Sequence, residues 1–198
     1  MTRRARVLLA LAVVAAVASG CSDDEATPLS DDQLPSDVVS SATDDAGIPT
    51  TSSCEAVNRA QEKVMVTAAP HHGYRYWTYQ LDDGSFVGVS VMQPTYPYED
   101  PSAALALVSD AVAECADQDA DGGVAALDDV PDGAVGFRST TTDSNGTREG
   151  TTLLAPAGED RIVTVTTSYD AGTEPSVDAA ALLADARDRA GDLDLDLS

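Results

Sequence analysis

Three cysteines set the terms on which this chain folds, because Cys21 closes an export signal and Cys54 and Cys115 are then left to each other. Arg3, Arg4 and Arg6 precede an apolar run from Val7 to Ala18, and Ser19-Gly20-Cys21 follows. A basic start, a short apolar run and a small-residue exit make residues 1–20 a secretory signal peptide. The run falls short of the ~20 apolar residues that a membrane-crossing helix wants. Ala18-Ser19-Gly20-Cys21 has the form of a bacterial lipobox, in which the cysteine is acylated and becomes the new N-terminus. Plain cleavage after Ala18 would leave an odd, reactive thiol in a secreted protein, so cysteine parity favours a lipoprotein held on the outer face of the cell membrane.

Charge narrows the partners. The chain carries a formal net charge of −23, and removing residues 1–20 takes away three arginines and no acid, leaving −26. Such a surface repels phosphate backbones and anionic headgroups, which excludes nucleic acid as a partner. Membrane contact has to come from acyl chains, several of which together give stable anchoring.

From Ser22 to Ser53 the chain holds eight acids, no Lys or Arg, three prolines and no aromatic residue. Low hydrophobicity and self-repulsion predict a disordered acidic tether over 21–53, with a typical span of ~30 Å. One domain is then expected over 54–191, followed by an acidic tail over 192–198. The closing Asp-Leu alternation is open to two readings, a short edge strand or a frayed end.

Within the domain, Ser52-x-x-Glu55 resembles a capping box, and Val57, Ala60 and Val64 recur at helical spacing over 53–66. Tyr74 to Leu81 and Ser85 to Gln93 form a hairpin reversed at Asp82-Asp83-Gly84. A two-residue loop at Asp83-Gly84 puts Tyr74, Tyr76 and Thr78 on the core face with Val87, Val89 and Val91. Trp77, Tyr79 and Leu81 then lie over Ser90, Gly88 and Phe86, either packed beneath a helix or forming a shallow aromatic groove for an apolar or saccharide ligand. Asp100-Pro101 starts a second helix whose buried stripe runs through Leu105, Val108, Val112 and Cys115. Three strands follow, over 134–142, 148–154 and 161–169, and Pro175-Ser176 caps a last helix carrying Leu182, Leu183 and Ala186. The expected fold is α+β, in the order αββαβββα, with an antiparallel sheet of about five strands and helices packed on it. Cys54 opens the first helix and Cys115 ends the second, so in an exported protein they form a disulfide.

Several stretches together carry a resemblance: the strand Val87 to Met92, Gln93-x-x-Tyr96, the alanine-rich helix running into Cys115, Asp132-Gly-Ala-Val-Gly-Phe137, Arg161-Ile-Val-Thr-Val165 and the final Leu182-Leu183-Ala184 helix. In element order and spacing, most of 54–190 resembles the extracellular sensor domain of PknH-type actinobacterial receptor kinases, which also occurs alone in actinobacterial lipoproteins. That family usually carries two disulfides where this chain has cysteines for one. The resemblance implies a non-enzymatic domain with a cleft for an envelope ligand and no catalytic residues.

Asp117-x-Asp119-x-Asp121-Gly122, with Asp128 twelfth, has the spacing of a calcium loop. Position 12 is Asp rather than bidentate Glu, and Pro131 forbids a normal exiting helix, so a solvated acidic loop is the competing reading. No other cofactor is expected. The only histidines, His71 and His72, are adjacent and diverge on an extended chain. No nucleophile elbow, phosphate loop or zinc motif appears. The expectation is a monomeric, non-catalytic domain that binds or senses an envelope ligand, or else an interaction module that scaffolds envelope proteins.

Overall fold

A computed structural model describes residues 26–44, 52–68, 73–118, 123–144, 146–173 and 175–195. The signal peptide and Cys21 lie outside the described residues. The elements run β1 (Val38–Asp44), α1 (Glu55–Ala68), β2 (Tyr74–Leu81), β3 (Phe86–Met92), α2 (Pro101–Gln118), β4 (Val124–Ala126), β5 (Val135–Asp143), β6 (Gly146–Ala157), β7 (Arg161–Asp170) and α3 (Ala179–Arg189), closed by a 3-10 turn at Ala190–Asp192. The strands make one antiparallel sheet of seven in the order β1-β2-β3-β7-β6-β5-β4. The α+β class is therefore as expected. Two strands beyond the expected five arise where the sequence reads as loop, β1 in the acidic leader and β4 in the acidic stretch after α2.

Local chemistry explains the helices. On α1, Val57, Ala60, Gln61, Val64 and Ala68 are buried, which is the spacing of one helical face. The Ser52 hydroxyl accepts from the Cys54 amide at 3.0 Å, three residues ahead of the helix proper. The Asp100 carboxylate accepts from the Ser102 amide at 2.8 Å and starts α2. At α3 the cap is Asp178, which accepts from Ala180 and Ala181, rather than Pro175-Ser176. A residue pair that only looks like a start lost to one whose carboxylate reaches two free amides.

The helices take opposite sides of the sheet. On one face, α3 lays Leu182, Leu183, Ala186 and Ala190 over Trp77, Tyr79, Val87, Val89, Val163 and Val165. On the other, α1 and α2 cover Phe137 and Leu154 and, further along, Tyr74, Tyr76, Met92 and Ile162. Cys54 and Cys115 are joined as a disulfide at a Cα separation of 6.1 Å, linking the start of α1 to the last turns of α2.

Residues 26–44, inside the tether expected over 21–53, are packed on the body; residues 21–25 and 45–51 lie outside the described residues. Leu29 is fully buried in the α3 core, together with partly buried Leu34 and Val38. Ser30 donates its amide and hydroxyl to the Asp185 carboxylate at 2.7 and 2.9 Å, and Arg189 donates to the Thr27 carbonyl at 3.1 Å. One buried leucine and charge-assisted bonds outweigh the cost of ordering a short acidic segment. The acidic tail is likewise part of the body through residue 195. Leu193 and Leu195 are buried in the same core, and the Arg75 guanidinium donates to the Asp194 carbonyl at 3.0 Å. Residues 193–195 are neither an edge strand nor a frayed end, and residues 196–198 lie outside the described residues.

Burial also sets a pH limit. The Tyr79 phenol is pushed up to about 12 by burial, against a smaller opposing pull from Arg189, and burial alone pushes Tyr76 up. Their neutral forms stabilise the fold fully below the unfolded value near 10, and that contribution is lost as pH rises toward the folded value. The urea midpoint should hold at pH 9 and fall between pH 10 and 12. Tyr79→Phe should flatten that fall, and an unchanged slope would exclude the phenol as its source.

Candidate functional site

The hairpin turn decides where the expected groove residues lie. Leu81 and Ser85 close a three-residue loop, with the Leu81 amide donating to the Ser85 carbonyl at 3.0 Å and the Gly84 amide to the Leu81 carbonyl at 3.1 Å. Gly84 takes φ +81°, and Asp83 accepts from the Ser85 amide at 2.7 Å; the Ser85 side chain first, and that amide second, hold its carboxyl below the ordinary value. One residue more than a two-residue loop shifts the register by one and exchanges the faces. Trp77 therefore pairs with Val89 and Tyr79 with Val87, while Tyr76 pairs with Ser90, Thr78 with Gly88 and Gln80 with Phe86.

The aromatic groove of Trp77, Tyr79, Phe86, Gly88 and Ser90 is thus corrected. Trp77 and Tyr79 are packed beneath α3, at 4 % and 5 % exposure, with Arg75 stacked 5.6 Å from the Trp77 ring. Phe86, Gly88 and Ser90 face the other side. The expected core pairing of Tyr74, Tyr76 and Thr78 with Val87, Val89 and Val91 is reversed for the same reason.

On the face that α1 and α2 share, the helices stop short of the hairpin end. There Ser40, Ala42, Thr78, Gln80, Gly84, Phe86, Arg148 and Ser168 line an open concavity of about 610 Å³. β1 supplies its rim, β2 and β3 its floor, and β7 and β6 its far wall. Phe86, partly buried, offers a ring. Arg148 is tied down: Nε donates to Ser168 Oγ and Nη1 to Asp170 Oδ1, both at 3.0 Å, and Nη2 to the Gly84 and Ser168 carbonyls at 3.2 and 3.0 Å. With its donors so engaged, Arg148 braces the wall rather than presenting a free cation. Of these residues the sequence places only Phe86 in a groove. Arg148 and Ser168 enter because β3 pairs with β7, a neighbour across more than seventy residues that no local pattern announces.

The other expected sites are less complete. The side chain of Asp117 and residues Asp119 and Asp121 lie outside the described residues, as do His71 and His72. Asp128 is exposed, beyond β4, and the chain goes on to β5 without a helix. Among the described residues no group of three side chains has the arrangement of a metal site. No described helix is long and apolar enough to cross a membrane. No family model matches the chain, and no curated protein matches it.

Proposed function

We propose that this chain is an exported lipoprotein, acylated at Cys21, whose non-catalytic domain binds an envelope ligand in the concavity around Phe86 in the manner of a PknH-like sensor domain. The observation that carries the reading is that concavity, a lined and braced hollow on a sheet face otherwise covered by helices. The Cys54–Cys115 disulfide supports export, because such bonds persist in oxidising compartments. The described lining holds hydroxyls, an amide, a ring and a bonded guanidinium, and among the described residues it includes no thiol, imidazole or carboxylate pair to carry acid–base or nucleophilic chemistry. Calcium in the loop from Asp117 to Asp128 remains a separate proposal on spacing alone.

A second reading rests on β1. It is the outermost strand of the described sheet, with Val39 61 % exposed and no Lys or Pro in its run of Val-Val-Ser-Ser-Ala-Thr-Asp. Apart from the register shift between Val38 and Ser40, that edge is open to a strand from a partner, which fits an interaction module.

One experiment with two arms tests the primary reading. In the native host, wild type should stay with the membrane and Cys21→Ser should be released. The released chain, isotope-labelled and titrated with separated lipid and polysaccharide envelope fractions, should show amide shifts concentrated at residues 40–42, 78–86, 148 and 168. Shifts confined to the β1 edge would favour the interaction module, and the absence of any shift would reject binding.

A further inference from the structure

We infer that the ligand of this groove is an uncharged, polyhydroxylated chain, a neutral oligosaccharide, and that its site continues inward past Tyr76 to Ser90, Thr164 and Gln61. The inference rests on the groove reading above and adds the ligand class and the inner reach.

Charge argues first. A bound anion needs a free cation, but Arg148 already donates from all three of its nitrogens to protein oxygens. The chain around it carries a net charge of −23, which opposes the approach of an anion. A bound cation needs a carboxylate, and none stands among the described lining residues, while Asp170 beside them is paired to Arg148. What the lining does offer suits a sugar. Ser40, Thr78, Gln80 and Ser168 can each donate and accept, and Phe86 offers an apolar face on which a ring can stack.

The inward reach follows from polar atoms that have no partner. Tyr76 Oη, Ser90 Oγ, Thr164 Oγ1 and Gln61 Nε2 make no hydrogen bond, and their residues are only 5, 2, 3 and 5 % exposed. Buried polar groups are nearly always satisfied, so four such atoms on one side of one sheet require an account. Three of them are neighbours by register, Tyr76 pairing with Ser90 and Ser90 with Thr164, and Gln61 comes from α1 beside Met92 and Ile162, the next residues of that face on β3 and β7. They also lie in line with the groove. Phe86, Gly88 and Ser90 alternate along β3, and Ser168, Thr166 and Thr164 along β7, so a hydroxyl-lined track runs ~13 Å inward at the strand repeat.

Tyr76 stands between the two halves. Its phenol lies over Gly88, where any β-carbon would collide with the ring, so glycine leaves the room that the tyrosine now fills. On this proposal a ligand reaches the inner part only by turning that ring aside. At the inner end Gln61, with Val64, Met92 and Ile162, lines a void of about 10 Å³, close to the space one water occupies. The structural alternative is therefore definite: ordered water satisfies these atoms and no ligand ever reaches them.

Thr164→Val separates the two, since it deletes the hydroxyl and keeps the shape. The probes are neutral hexasaccharides of glucose, galactose, mannose and arabinose, with a uronic-acid hexasaccharide as the anionic counterpart. They are titrated by calorimetry and amide shifts into the mature chain carrying Cys21→Ser. At least one neutral probe should bind, shifting Thr78 and Phe86 and also Ser90 and Thr164, and the uronate should not. Thr164→Val should raise the melting temperature of the free protein and weaken binding about three- to tenfold, the size of one neutral hydrogen bond. Ser90→Ala should weaken binding to a similar degree. Failure of every neutral probe, or equal binding of the uronate, overturns the ligand class, and the envelope fractions then decide separately whether the groove binds anything. Shifts confined to the outer residues, with affinity unchanged in Thr164→Val, overturn the inward reach.

Discussion

Replacing Cys115 with serine is expected to lower the stability of the domain by ~4 kcal/mol, the chain-entropy value for a cross-link of this loop length. The cysteines are 61 residues apart in sequence, so the reduced, unfolded chain regains the freedom of a large loop. The site adds to the loss. Cys115 is 1 % exposed and packs with Val57, Val108, Val112 and Phe137, where a serine hydroxyl has to be buried. Against a total of ~5–15 kcal/mol for a domain of ordinary stability, this is a large fraction. Urea unfolding checks it: the variant and the reduced wild type should both lose midpoint, the variant slightly more. A wild-type midpoint indifferent to reductant would remove the disulfide from the account.

Leu29→Ala is expected to cost ~3 kcal/mol, within the usual range for emptying a fully buried leucine site. Its side chain is 0 % exposed and lies in the same cluster as Trp77, Leu81 and Leu183. A chain cut to begin at residue 52 should fare worse, since it also loses β1 and the Ser30–Asp185 bonds and uncovers the sheet edge beside Tyr79. The check is the unfolding midpoint of the mature chain beside Leu29→Ala and the shortened form. Equal midpoints for all three would show that residues 26–44 are not part of the folded body.

The elements that the sequence revealed are those with a strong period or a strong punctuation. α1 and α2 carry apolar stripes at helical spacing, and the hairpin carries Asp-Gly between two aromatic and β-branched runs. β1 escaped because most of its residues face water at the sheet edge, so no alternation survives, and the acids around it imitate a disordered leader. The groove was lost to a single residue. Phe86 was singled out, but a loop of three rather than two carried Trp77 and Tyr79 to the opposite face. The aromatic count says that large rings exist, and only the turn says on which side. The rest of the lining came from strand order, which depends on how the whole sheet closes over its two helix layers.

The early start of the folded body changes the geography of the protein. Between Cys21 and Ala26, where the described structure begins, the chain can stretch no more than ~18 Å. An acyl-bearing Cys21 would then moor the body against the bilayer surface, near α3, where Arg189 holds Thr27. The protein would drift in two dimensions as a passenger of the lipid, and whatever fills its hollow would have to come down to the membrane to be met.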